Sequence, residues 1–411
     1  MNGRVVAAAV LLGWTGCAAF VPPTDGGSEF LERAESRSDG GVSVSAAVLT
    51  DAEADREFNS PLGRNAVQPV WVEIRNERDE ELLVMPIAVD PDYFSPSEAA
   101  WRSRRLWERR SREKMKFFTD RQLPMFVPPL SNVSGFVFTN RDPGMKAFTV
   151  QLIGDNENHD FEFHQFIPGL RTDLEDARLT LERVATDSRD LSLAELRDYL
   201  EELPSTALGG DRRTDGDPLN IVVVGDVAIV LATLARRGWD VTEAIYPGSV
   251  VRMVLASVFK SNYRTSPISP LYVFDRSQDF ALQKTRGNVD ERNHLRLWLA
   301  PVTLEGESVW VGQISRDIGV KLSSRTVVTH KIDPDVDDAR SFLMQDLLSS
   351  GSTRAVGFVS GVGESSEAAL RRNFTRDPYL TDGLRVVMIL TDEAIGIDEV
   401  DWLEWDWPTD H

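Results

Sequence analysis

The chain is nearly devoid of cysteine, with one thiol, Cys17, in 411 residues. That excludes an internal disulfide framework. Histidine is almost as scarce at five, so imidazole chemistry is confined to a few positions. Nucleotide fingerprints are missing too. LNIVVVGD ends on a lone Gly225, with neither GxGxxG nor GxxxxGK[ST] around it. No serine stands in a GxSxG elbow, which removes the usual signature of a serine hydrolase. Basic charge is in deficit: 45 Lys and Arg against 65 Asp and Glu leave a net charge of −20. Such a balance argues against nucleic acid as a partner and against a polybasic grip on anionic lipid. It suits solubility, or a cationic or metal-bridged partner.

Hydrophobic residues are plentiful at 42%, and 411 residues exceed one ordinary core, so two domains are expected. The N-terminal stretch MNGRVVAAAVLLGWTGC carries one positive charge, Arg4, and a short apolar run from Val5 to Leu12. Such a run is too short to span a bilayer but suits a signal peptide. A cysteine following Thr15 and Gly16 resembles a bacterial lipobox, in which Cys17 takes a diacylglycerol and becomes the new N-terminus. Trp14 departs from the usual leucine, and cleavage after Ala19 is the alternative. The expected product is a lipid-anchored protein of the bacterial cell envelope, facing the periplasm. Ala18 favours the outer membrane over inner-membrane retention. The membrane is then a partner through lipid alone.

Residues 18–41 are rich in Pro, Gly, Ser and charge and read as a flexible tether. From 42 to 170, alternating runs such as PVWVEIRN, GFVFTN and AFTVQLI predict an antiparallel β-sandwich. A Trp- and Arg-rich helical insertion after Ser95-Pro96-Ser97-Glu98 interrupts it. His159 and His164 fall on opposite faces of one strand and read as structural. Residues 171–217 are expected to form a helical connector, with a capping box at Ser192–Glu195, followed by the linker GGDRRTDGDP. Residues 218–395 alternate clustered strands with helices, which predicts an α+β domain with a mainly antiparallel sheet. Residues 396–411 form an acidic, Trp-rich tail. The fold class is therefore α+β.

Chemistry-bearing residues concentrate between Leu271 and Arg340. His294 and His330 are candidate bases or metal ligands, and Asp333 and Asp335 are candidate oxygen ligands for a divalent metal. Asp333 also reads as a helix N-cap with Pro334 after it, which accounts for the acidic run without any metal. Arg286, Arg296 and Arg316 could clamp an anion bidentately, or pair internally with Asp275, Asp279 and Asp317. His294 shares a strand face with Arg296 and Trp298, opposite Leu295 and Leu297, and is expected to look outward into a cleft or solvent. A neighbouring arginine would keep its imidazole neutral.

Several motifs in one order carry a resemblance: PLNIVVVG with ARRGW, PLYVFDRSQDFALQKTRG, RNHLRLW, VWVGQISRDIGV, THKIDPDVD and TDGLRVV. Over about Pro218 to Leu390 the chain resembles the LssY C-terminal-like domain, a family without a defined biochemical activity. The resemblance implies an envelope setting, because relatives carry the domain beside lipid-phosphatase-type membrane segments. Two functional readings follow. One is a lipid-anchored binding or accessory protein near envelope lipid or secretion machinery. The other is a metal- or His-dependent hydrolase of a phosphorylated or otherwise anionic envelope substrate, using His294 and His330 with the arginine clamp.

Overall fold

The computed structural model describes residues 19–24, 28–105, 112–155, 157–170, 181–242, 265, 268–285, 292–321 and 329–408. Cys17, Arg286 and the residues 171–180 and 243–264 lie outside them. The chain divides into two units, one of residues 1–141 and 148–163, the other of 142–147 and 164–411. Among the described residues no helix is long and apolar enough to cross a membrane.

The first unit contains β1 (Glu35–Asp39), β2 (Val42–Val48), α1 (Asp51–Phe58), β3 (Val67–Asn76), β4 (Leu82–Met85) and α2 (Pro86–Val89). Then follow α3 (Pro96–Arg102), α4 (Arg112–Thr119), β5 (Phe126–Val127), β6 (Ser131–Asn140) and most of β7 (Met145–Ile153) and β8 (Asn158–Phe166). They make two four-stranded sheets, β1-β2-β3-β6 and β5-β4-β7-β8. The strands of the first sheet are antiparallel neighbours, as the alternating sequence predicts.

The expected tether 18–41 is partly built into this unit. Residues Glu29–Arg33 form a 3₁₀ turn that buries Phe30, and β1 pairs with β2. Arg33 grips Glu53 through two bonds of 2.7 and 2.8 Å. Glu53 is itself held by the capping box at Thr50. The composition read as flexible is thus ordered by one bidentate pair and a ladder of backbone bonds. The expected long helix of the insertion appears as α3 and α4, with the residues between them outside those described. Phe58, Phe118, Phe136 and Phe138 pack face and edge at 4.8–5.4 Å and form the aromatic heart beneath it.

The second unit contains β9 (Arg189–Leu191), α5 (Leu193–Glu202), β10 (Thr206–Leu208), β11 (Asp215–Pro218), β12 (Ile221–Val224), α6 (Val227–Arg236) and β13 (Asp240–Val241). Next come β14 (Tyr272–Val273), β15 (Arg276–Ser277), β16 (Phe280–Thr285), β17 (Arg292–Leu304), β18 (Glu307–Lys321) and β19 (Thr329–Ile332). The unit ends with α7 (Val336–Leu348), β20 (Thr353–Val359), β21 (Arg371–Arg372), β22 (Pro378–Tyr379), β23 (Arg385–Leu390) and β24 (Asp401–Trp402). A ten-stranded sheet runs β13-β16-β17-β18-β12-β23-β20-β24, with β19 beside β18 and β9 beside β17. It is mainly antiparallel, with parallel pairs at β12/β23, β20/β24 and β17/β9.

Both faces of this sheet are covered, because β17 carries apolar side chains on both sides. Leu295, Leu297 and Leu299 join a core with Leu231 and Leu234 of α6 and Leu343 and Leu347 of α7. Trp298, Ala300 and Val302 join another with Leu196 and Leu200 of α5 and Leu271 and Val273 near β14. Two expected connectors are therefore structural parts of the unit. The linker 209–218 is the turn and second strand of the β10–β11 hairpin, and the acidic tail adds β24 to the sheet edge. The helical connector is interrupted by β9, after which the Ser192–Glu195 capping box starts α5 as expected.

Arg385, at the start of β23, is fully buried and ties these parts together. Its guanidinium donates to the carbonyls of Leu219 (2.8 Å), Leu200 (2.6 Å) and Pro204 (2.6 Å), and at 3.2 Å to Leu203. The carbonyls ending α5 thus find their donor in a side chain rather than in water. Burial pulls this guanidinium down to about 10. Gly361 has φ +120°, and a Cβ there would collide with Arg385 Nη1, so the neighbouring loop needs glycine twice over.

Candidate functional site

Along β17 the face bearing Trp298, Ala300 and Val302 changes character toward the start of the strand. There Arg296, His294 and Arg292 point to the same side, since side chains two apart share a strand face. The partner strands supply matching polar positions. Gln283 of β16 and Ser315 of β18 stand directly opposite His294, while Ala281 and Gln313 stand opposite Arg296. Asp317, two residues beyond Ser315, completes the row beside Arg292. The result is a polar end on a sheet face that is apolar farther along.

His294 was expected to look outward. Instead it is buried, with 6% of its surface exposed, and so is Arg296. The leucine face is core as expected, but the opposite face is covered as well, because Leu271, Val273 and α5 lie over it. The neutral state expected for His294 does hold. Burial first, then the cations Arg292 and Arg296, keep its imidazole well below the usual histidine range. The neutral ring donates from Nε2 to Asp317 Oδ2 at 2.6 Å, which leaves Nδ1 as the acceptor nitrogen. No hydrogen bond joins His294 to Ser315 among the described residues, so the row is not a nucleophilic triad.

The two arginines are held by neutral and charged groups together. Arg292 donates to Gln283 Oε1 at 2.5 Å and lies 3.6 Å from Asp317. Arg296 donates to Gln313 Oε1 at 2.7 Å and, from Nε and Nη2, to the Ser269 carbonyl. Asp217 of β11 is 4.0 Å from Arg296 and accepts from Asn373 Nδ2 at 2.8 Å. Burial pushes the Asp217 carboxyl up, while Arg296 draws it back down.

Because Arg296 donates to Gln313 Oε1, the amide orientation of Gln313 is set and its Nε2 points elsewhere. That Nε2 is fully buried, and among the described residues it has no acceptor. An orphaned donor of this kind costs about 1–3 kcal/mol unless something accepts from it.

The other candidates from the sequence do not gather here. Arg316 lies on the opposite sheet face, donates to Asn293 Oδ1 at 3.2 Å and rests 5.7 Å from the Phe342 ring. It cannot share an anion with Arg296, because neighbours along a strand point to opposite sides. His330 lies in β19 opposite Val320, five positions along β18 from the residue opposite His294, or about 16 Å of strand. Its side chain lies outside those described. The sequence spacing of the two histidines therefore does not become proximity.

Asp335, not Asp333, caps α7, accepting from the backbone N–H of Asp337 and Asp338. Asp333 Oδ1 accepts from the Asp335 N–H at 3.3 Å. Asp337 is engaged by Arg340, Thr381 and the backbone of Asp382. The acidic run is thus spent on starting a helix and on docking the Thr381–Gly383 turn. Among the described residues no group of three metal-capable side chains occurs.

The site's unexpected members are Gln283, Gln313 and Asp217. Of these, Gln313 was open to a period-two reading. QISRD gives Gln313, Ser315 and Asp317 on one face, and RNHLR gives Arg292, His294 and Arg296. Laid antiparallel, these triplets oppose each other.

Residues 198–384 match the family model described as LssY C-terminus. The chain carries an LssY C-terminal-like domain. The match covers β10 to β22, the whole polar end of the sheet and the second half of α5, and it starts 20 residues before the expected boundary at Pro218. The LssY C-terminal-like domain thus includes the β10–β11 hairpin, whose Asp217 belongs to the site. No curated protein matches the chain in sequence.

Proposed function

We propose that this chain is a lipid-anchored envelope protein whose LssY C-terminal-like domain binds an anionic group at the polar end of β16–β17–β18. The anchor rests on the lipobox-like segment ending at Cys17, and the setting is the periplasmic side of the cell envelope, with the outer membrane preferred. The binding reading rests on one observation: the buried Gln313 Nε2, without an acceptor among the described residues, beside Arg296 and on the same face as His294. A carboxylate or phosphate oxygen there would accept from Gln313 and lie next to a guanidinium, the most favourable cation for planar oxyanions.

The test is a thermal-melt titration of the full chain with inorganic phosphate and acetate at constant ionic strength. A ligand at about a hundred times its Kd stabilises the folded state by about 2.7 kcal/mol. Gln313→Glu keeps an acceptor for Arg296 but removes the orphaned donor, so it is expected to fold at least as well and to lose the stabilisation. Equal shifts, or no shift, in parent and variant would reject the binding reading. The anchor is tested by palmitate labelling, which Cys17→Ser should abolish; a labelled variant removes that part of the proposal.

A second reading, hydrolysis of the same anionic group, is favoured by the neutral His294 oriented by Asp317, a pair suited to general-base work. Turnover of p-nitrophenyl phosphate that disappears in His294→Gln, with phosphate binding retained, would select it over binding alone.

A further inference from the structure

A net charge of −20 hides a strong local reversal. From Trp101 to Phe117 the sequence holds eight basic residues and two acidic ones. This is the helical insertion of the first unit, and the described part of it presents Arg102, Arg105, Arg112 and Lys116 exposed at the surface, with Arg104 half-buried. Two large apolar side chains accompany them in the open: Trp101 is 45% exposed and Met115 is 44% exposed. The Arg104 guanidinium carbon lies over the Trp101 ring, 3.4 Å from its centroid. Exposed acidic neighbours are few, Glu98 and Glu113 among the described residues, while Lys116 is paired with Asp120. Cations interleaved with an exposed tryptophan and methionine are what a headgroup surface selects, since the rings settle at the interface while the guanidinium groups meet phosphate.

The start of the chain joins this surface. Phe20 is only 6% exposed and sits 5.5 Å from Phe117 and 5.6 Å from the Lys114 ammonium. The Val21 carbonyl accepts from Asn59 Nδ2 at 2.8 Å, and Asn59 Oδ1 accepts from Arg105 at 2.8 Å. The residues just after Cys17 are therefore docked beside α4 and Arg105. Phe20 stands three positions after Cys17, a reach of about 10 Å at full extension.

We propose that the α3–α4 insertion is a membrane-facing surface that grips anionic phospholipid headgroups through Arg102, Arg104, Arg105 and Arg112, with Trp101 and Met115 settling into the interface. This deepens the envelope reading above and rests on it for the anchor. A single acyl chain gives only marginal membrane binding, and a basic patch is the kind of second signal that makes attachment stable. Docking of Phe20 places that second signal within reach of the first. The insertion is held at the bilayer, and the segment following Cys17 works as a short clip.

The experiment uses the full chain with Cys17→Ser, so that no acyl group contributes, and measures cosedimentation with vesicles. Vesicles of phosphatidylcholine alone are compared with an equal mixture of phosphatidylcholine and phosphatidylglycerol. The parent is expected to favour the anionic vesicles and to release as salt rises. Reversing Arg102, Arg104 and Arg105 to Glu should lower that preference on the order of a hundredfold. Trp101→Ala should weaken binding to the anionic vesicles while leaving the salt dependence intact. A glutamine triple variant, which adds no negative charge, guards against misfolding of the first, and its melting midpoint is measured alongside. Equal sedimentation of the parent with both vesicles would overturn the proposal. So would full retention in the charge variants, or binding to a polyanion such as polyuridylate with none to vesicles. Failure of the palmitate labelling alone would remove the anchor and leave this surface standing, so the two readings fail separately.

Discussion

Removing the Arg385 guanidinium should destabilise the second unit by about 3–4 kcal/mol. The perturbation is Arg385→Met, which keeps an unbranched side chain of similar length and removes charge and donors together. The magnitude follows from two opposing terms. Three short bonds, to Leu219, Leu200 and Pro204, each link a charged donor to a buried carbonyl. Such bonds contribute about 1.5–3 kcal/mol apiece, and their carbonyls would be left without this donor. Against that stands relief from burying a cation. Burial lowers Arg385 from 12.5 to about 10, a shift of about 3 kcal/mol at roughly 1.36 kcal/mol per unit. The sign for pH follows: a base depressed in the folded state carries its penalty below pH 10 and sheds it as pH rises toward 12.5. Bond loss exceeds relief because Arg385 is surrounded by carbonyls and, among the described residues, has no carboxylate that Met would also strand. The assay is urea denaturation followed by tryptophan fluorescence, with the midpoint read at unchanged m. Arg385→Lys should recover less than half of the loss, since three donors on a point charge cannot reach carbonyls spread from Leu200 to Leu219. A Met variant within 0.5 kcal/mol of the parent, or more stable than it, would refute this account of the hub.

His294→Gln should remove a pH dependence of stability. In the folded protein the ring stays neutral well below its usual range, whereas the unfolded chain binds a proton below about 6.5. The parent is therefore expected to lose about 1.4 kcal/mol per pH unit below that point relative to the variant, measured as urea midpoints between pH 7 and 5. Parallel pH profiles would show that His294 is charged when folded. At the start of α7, Asp335→Ala should cost about 1 kcal/mol and Asp333→Ala less than half of that, because only Asp335 caps the helix; thermal melts that rank them the other way would contradict the cap assignment.

Much of the architecture was legible locally. The Ser192 box, the runs that became β16, β17, β18 and β23, and the helix after Asp335 follow from periodicity and capping, which act within a few residues. Segments judged by composition fared worse. Polar stretches at 35–39, 215–218 and 401–402 became strands, because a backbone ladder accepts almost any side chain once a neighbouring edge is available. The site was half legible: Arg296 and His294 were found, and the neutral histidine was anticipated from its arginine neighbour. What could not be read was which strands lie side by side. That pairing buried His294, set Gln313 against Arg296, moved Arg316 to the other face and kept His330 five positions away.

The sequence by itself determined that this is an acidic α+β chain with one cysteine, no disulfide framework and no nucleotide fingerprint. It also placed the polar residues of β17 and β18 on alternate positions, which is a property of strand geometry alone. Tertiary structure decided the rest. It closed both faces of the central sheet and turned an outward histidine into a buried one. It also folded the expected tether against an aromatic core, leaving the cationic insertion beside the docked start of the chain. The physical reason is the same in each case: burial and pairing depend on which distant segment arrives, and no window of the sequence carries that partner.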